Sequence, residues 1–146
     1  MIEVTNLIPF LLLGFMVGIC GFFDAPYDRS HMVICDGEEC LKANFDNCNP
    51  AYGNIIEDDF NIYFEIRGMK ENGRCETYVR LDEINLEEVP ENFRGIANLA
   101  TGASMICEVE NYEKEALLRG EFDKSMLSRC NGILANALET VIPQLE

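Results

Sequence analysis

The chain contains a single histidine, His31, and no tryptophan, and its 11 Lys and Arg residues face 26 Asp and Glu for a net charge of −15. Each shortage excludes a class of function. One His leaves no material for a His-rich metal site or a His-based catalytic pair, and His31 itself reads as a solvated tether residue. The scarcity of cations argues against nucleic acid as a partner, because a phosphate backbone is held by a basic face. Phosphate-cradling loops are missing: Gly95, Gly102 and Gly120 stand alone, as helix or turn glycines do. No N-x-S/T sequon and no D-x-D-x-D-G calcium loop occurs. The acidic runs Glu57-Asp58-Asp59 and Glu87-Glu88 read as solvated turns, since acid–base catalysis needs two carboxyls held in a cleft with separated pKa values. No catalytic residue, metal site or cofactor is therefore expected. What is present is a globular composition, 48% hydrophobic and 25% charged over 146 residues, which fits one compact domain.

Charge is also absent from Leu7 to Phe23, a run of 17 residues, or 20 if it is counted from Val4. At 1.5 Å per residue, 20 residues just span a hydrocarbon core of about 30 Å. Apolar residues occur on every side of this segment, which disfavours a helix buried in a soluble core. Residues 1–23 thus read as an N-terminal transmembrane-type anchor, contacting the membrane through residues 4–23. Two alternatives stay open. A signal peptide would normally begin with Lys or Arg, whereas only Glu3 precedes the run. Lipidation at Cys20 would prefer a small residue before the cysteine, where Ile19 stands. Gly14, Gly18 and Gly21 lie at small-residue spacings that permit close helix–helix contact in a membrane.

Beyond this segment lie Cys35, Cys40, Cys48, Cys75, Cys107 and Cys130. The number is even, the spacing is wide, and neither C-x-x-C nor C-x-x-C-H occurs. Zinc sites normally show tight cysteine pairs, often with His. The six cysteines therefore read as three disulfides, among 15 pairings that sequence does not separate. Disulfides place the domain in an oxidising compartment, outside the cytoplasm.

Residues 24–34 read as a tether, and residues 35–132 as the Cys-rich domain. Asp36 followed by Glu39 suggests a capping box for a helix over about 37–47. Phe60, Ile62, Phe64 and Ile66 alternate with polar residues, as do Cys75, Thr77, Val79 and Leu81, which predicts a hairpin with Cys75 on its apolar face, well placed for a bridge to a covering helix. Tyr63 and Tyr78 then fall on the other face as cross-strand neighbours and form a contact patch for a partner or a sugar, or a covered second face. Pro90 opens a helix over about 91–101 that Gly102 ends, residues 104–110 alternate as a third strand, and 112–119 form a short helix. Asp123 caps a further helix that reaches Cys130, and Asn131-Gly132 breaks it. Residues 133–146 form an amphipathic helical tail that either packs on its own domain or docks on another subunit. The expected fold is α+β, an antiparallel sheet packed with helices behind the N-terminal transmembrane-type helix.

The order Cys35-x4-Cys40, Ala43, Cys48-Asn49-Pro50-Ala51, then Arg67-Gly68-Met69, Gly73-x-Cys75, the Cys107 strand, Gly120-Glu121-Phe122 and Cys130-Asn131-Gly132 resembles small archaeal cell-surface proteins that are membrane- or lipid-anchored. The resemblance covers about residues 35–132 and implies a surface location, disulfides and one helix-plus-sheet domain. It supplies no catalytic residues. Together these readings predict a non-enzymatic, membrane-anchored extracytoplasmic protein with a binding or assembly role. The alternatives are a pilin-like filament subunit and an accessory subunit of a larger membrane complex, both packing through the N-terminal helix.

Overall fold

Between residues 51 and 109, stretches of alternating apolar and polar side chains build most of a six-stranded sheet, with strands in sequence order across it. The structure is a computed structural model that describes residues 27–145. The chain divides between Ser30 and His31, and the sheet belongs to the second unit, His31–Glu146. The expected anchor, its glycines and Cys20 lie outside the described residues.

The strands are β1 (Val33–Ile34), β2 (Ala51–Ile56), β3 (Phe60–Met69), β4 (Cys75–Ile84), β5 (Ser104–Val109) and β6 (Cys130–Asn131). The helices are α1 (Glu38–Asp46), α2 (Arg94–Ala100), α3 (Lys114–Leu118), α4 (Lys124–Leu127) and α5 (Ile133–Leu145). Short 3-10 turns at Leu86–Glu88, Glu91–Phe93 and Asn111–Glu113 precede α2 and α3.

Two parts of the expected fold class need correction. The sheet is mixed: β1 runs parallel to β2, while the other neighbouring strands pair antiparallel. The cause lies in the segment assigned to the tether. Val33 and Ile34 pair with Ala51 and Tyr52, and α1 crosses between them, so the chain returns in the same direction as a helix crossover requires. In addition, no helix among the described residues is long and apolar enough to cross a membrane. The longest, α5, has 13 residues and extends about 20 Å.

Local chemistry explains where the elements begin and end. Gly37 (φ 97°) occupies the N-cap of α1 without a side-chain cap, so the capping box expected from Asp36 is not formed; Glu38 and Glu39 complement the helix dipole instead. At the far end Cys48 takes a left-handed φ of 50°, its N–H donates to the Phe45 carbonyl, and Asn49 N–H donates to the Asn44 carbonyl. This is the Schellman arrangement, and it turns the chain into β2. A reciprocal capping box does occur, but between Glu110 and Glu113. Asp123 caps α4 by accepting from Met126 N–H, as expected, yet α4 stops at Leu127 and Cys130 belongs to β6.

One face of the sheet forms the core. Ala51, Ile62, Phe64, Ile66, Val79 and Met105 pack there against Leu41 and Phe45 of α1, Leu117 and Leu118 of α3, Leu127 of α4, and Leu134 and Ala137 of α5. The first half of the tail helix thus packs on its own domain. Gly53 in β2 has no room for a side chain, since a Cβ there would collide with the Cys35 carbonyl. Three disulfides, Cys35–Cys40, Cys48–Cys75 and Cys107–Cys130, close the six cysteines of this unit. Cys48–Cys75 ties the end of α1 to β4, the bridge from a covering helix to the apolar face that the position of Cys75 suggested. Cys107 and Cys130 are direct cross-strand partners on β5 and β6.

Candidate functional site

The second face of the sheet carries Tyr52, Asn54, Asn61, Tyr63, Glu65 and Arg67 from β2 and β3, and Tyr78, Arg80 and Asp82 from β4. They share this face because each lies one residue out of phase with the core-facing positions. Register sets the neighbours. Tyr63 pairs directly with Arg80 and Glu65 with Tyr78, which leaves Tyr63 diagonal to both Tyr52 and Tyr78.

The rings make a continuous ladder. Tyr52 and Tyr63 lie 6.4 Å apart with a 55° tilt, and Tyr63 and Tyr78 lie 6.1 Å apart at 73°, an edge-to-face contact. Each arginine covers a ring: the Arg80 guanidinium lies 4.4 Å from the Tyr63 centroid and that of Arg67 lies 4.7 Å from Tyr78. Tyr63 and Tyr78 are therefore on one face, as the alternation predicted, with Tyr63 almost fully buried and Tyr78 half-buried.

Carboxylates fix the arginines. Glu65 is fully buried, accepting from Tyr63 Oη at 2.7 Å and from Arg67 Nε and Nη2 at 3.2 and 3.1 Å. Asp82 accepts from Arg80 Nε at 2.6 Å and from Asn54 Nδ2 at 2.9 Å, and Asn54 also donates to Asn61 at 2.8 Å. Burial pushes the Asp82 carboxyl up, but the hydrogen bonds from Arg80 and Asn54 and the adjacent guanidinium outweigh it and hold the pKa below the usual carboxylate range. The hydrogen bond to Asp82 likewise raises that of Arg80. The result is a lattice of aromatic rings and charged groups whose side chains hold one another in position.

Neither Ser, Cys nor His is among these residues, and the hydroxyl that meets a buried carboxylate here is that of Tyr63, on Glu65. Tyr and Arg are among the residue types most often found at the energetic centre of binding interfaces. Glu65, Arg67 and Arg80 share the alternation that put the two hairpin tyrosines on one face, whereas Tyr52 joins them only through the pairing of β2 with β3. The remaining residues singled out in the sequence lie elsewhere. His31 is exposed at the start of the second unit, Glu57-Asp58-Asp59 form the exposed β2–β3 turn, and Glu87 and Glu88 are exposed beyond β4. Among the described residues no group of His, Cys, Asp and Glu is arranged to hold a metal.

No family model matches the chain, and no curated protein or solved structure matches it either.

Proposed function

We propose that the protein works outside the cytoplasm as a non-enzymatic binding or assembly protein, and that the tyrosine–arginine face of its sheet makes the contact. The observation that carries this reading is the fixed lattice itself. Tyr63 and two guanidiniums are held by buried or half-buried carboxylates, and the rings of Tyr52 and Tyr78 pack against Tyr63. Three disulfides support the location, because such bridges persist where the surroundings are oxidising. Attachment at a membrane rests on the charge-free stretch 7–23 of the sequence, and the likeness to small archaeal surface proteins on the cysteine order. The net charge of −15 suits an outer surface that stays soluble.

A photo-reactive amino acid at Tyr78 in the full-length protein, crosslinked in intact cells, tests the reading. One discrete adduct with a second protein is expected for a binding role, and a ladder of self-adducts for an assembly role. The same group at Asp58, on the exposed β2–β3 turn, is expected to capture neither. Absence of adducts at position 78, or equal yields at both positions, overturns the proposal.

A further inference from the structure

At the end of the domain where β4 leaves the sheet, an apolar groove of about 290 Å³ lies between α2, α5 and the 3-10 turns. Leu81, Phe93, Ile96, Ala97, Leu134 and Leu138 form most of its wall. Its rim is acidic. Glu88 lines the mouth, and Glu87 and Glu91 sit beside it on the same turns. None of these three forms a salt bridge among the described residues, whereas Lys42, Arg67, Lys70, Arg74, Arg80, Arg119 and Arg129 are paired with carboxylates elsewhere. The nearby cation, Arg94, donates Nε to the Val89 carbonyl at 3.1 Å.

We propose that this groove is a second binding site, which takes the apolar side chains of a basic amphipathic segment of a partner protein. Volume decides the scale. Pockets for whole drug-sized ligands run from about 300 to 1,000 Å³, so this one sits at the lower limit and suits a few anchoring side chains. Charge decides the partner. A lipid acyl chain brings an anionic headgroup to an already acidic rim. A second copy brings a net charge of −15 against its like, and residues 1–26 of this chain contain no Lys or Arg. A segment whose apolar face is flanked by Lys or Arg satisfies both the wall and the three unpaired carboxylates. The site is separate from the tyrosine–arginine face, and either can fail without the other.

The test is an amide chemical-shift titration of full-length, isotope-labelled protein with three short helical peptides: Lys–Leu amphipathic, Lys–Ala of equal charge, and Glu–Leu. The Lys–Leu peptide is expected to shift Val89, Phe93, Ala97 and Leu138, and to bind at least about tenfold more tightly than the other two. Ala97→Trp, which fills the groove, and the exposed triple change Glu87→Gln/Glu88→Gln/Glu91→Gln, which leaves the core untouched, are each expected to weaken it about tenfold. Equal binding of Lys–Leu and Lys–Ala, shifts spread over the acidic surface, or full affinity in the triple variant overturns the proposal. So does preferential binding of the Glu–Leu peptide, or concentration-dependent self-association that shifts the groove residues.

Discussion

Removing one disulfide at a time tests how this domain is held together, because the three bridges close loops of very different length. Cys48–Cys75 spans 27 residues, Cys107–Cys130 spans 23 and Cys35–Cys40 only 5. The chain-entropy relation gives about 3.5 kcal/mol for each long loop and about 2 kcal/mol for the short one. Cys48 and Cys75 are also buried, so the double change Cys48→Ala/Cys75→Ala adds a packing loss of up to about 1 kcal/mol. For a domain of this size 1 kcal/mol moves Tm by about 3–6 °C, so loss of Cys48–Cys75 should lower Tm by about 10–25 °C and loss of Cys35–Cys40 by about 6–12 °C. Calorimetry on the oxidised double variants reads the order directly. If removal of Cys35–Cys40 costs as much as removal of Cys48–Cys75, loop closure is not what these bridges contribute, and the reasoning fails.

Arg129 donates Nη1 and Nη2 to both oxygens of Glu113 at 2.7 and 2.6 Å, and Glu113 is only 4% exposed. Arg129→Met should therefore cost about 3–5 kcal/mol in urea unfolding by stranding that carboxylate, and Glu113→Leu in the same chain should recover most of the loss. Gly53→Ala should destabilise by about 1–3 kcal/mol through collision with the Cys35 carbonyl, whereas Gly95→Ala, in helix α2 with open space around it, should stabilise by up to about 1 kcal/mol. The pKa of Asp82 is lower folded than unfolded, so its contribution to stability is complete above its unfolded value near 3.8 and disappears as pH falls through the folded one. The difference in urea midpoint between wild type and Asp82→Asn should accordingly be largest near neutrality and shrink below about pH 4.

The hairpin was legible because ten-residue strands with strict alternation leave little ambiguity, and with it came the face shared by Tyr63 and Tyr78. β2 was not legible. Ala51, Gly53 and Asn54 are poor strand formers, and Gly53 is required by the close approach of Cys35, a contact that exists only after folding. β1 is two residues long and carries no periodic signal, so the mixed character of the sheet was hidden with it. The buried Glu65 looked like any outward-facing acid in an alternating strand. Tyr63 and Arg67 on the same strand donate to it and Tyr78 lies across from it, an arrangement that depends on strand pairing as well as on local sequence. The boundaries of the short helices were approximate for a similar reason: the 3-10 turns before α2 and α3 share the residue preferences of the helices they lead into.

Location, stability and the binding reading all depend on the six cysteines of the second unit being oxidised in the living cell. The direct measurement is the intact mass of the native protein, alkylated without reduction at the moment of lysis. The account predicts at most one modified cysteine, Cys20, with the other six protected as pairs. Modification of all six would place the domain in a reducing compartment and contradict an extracytoplasmic role.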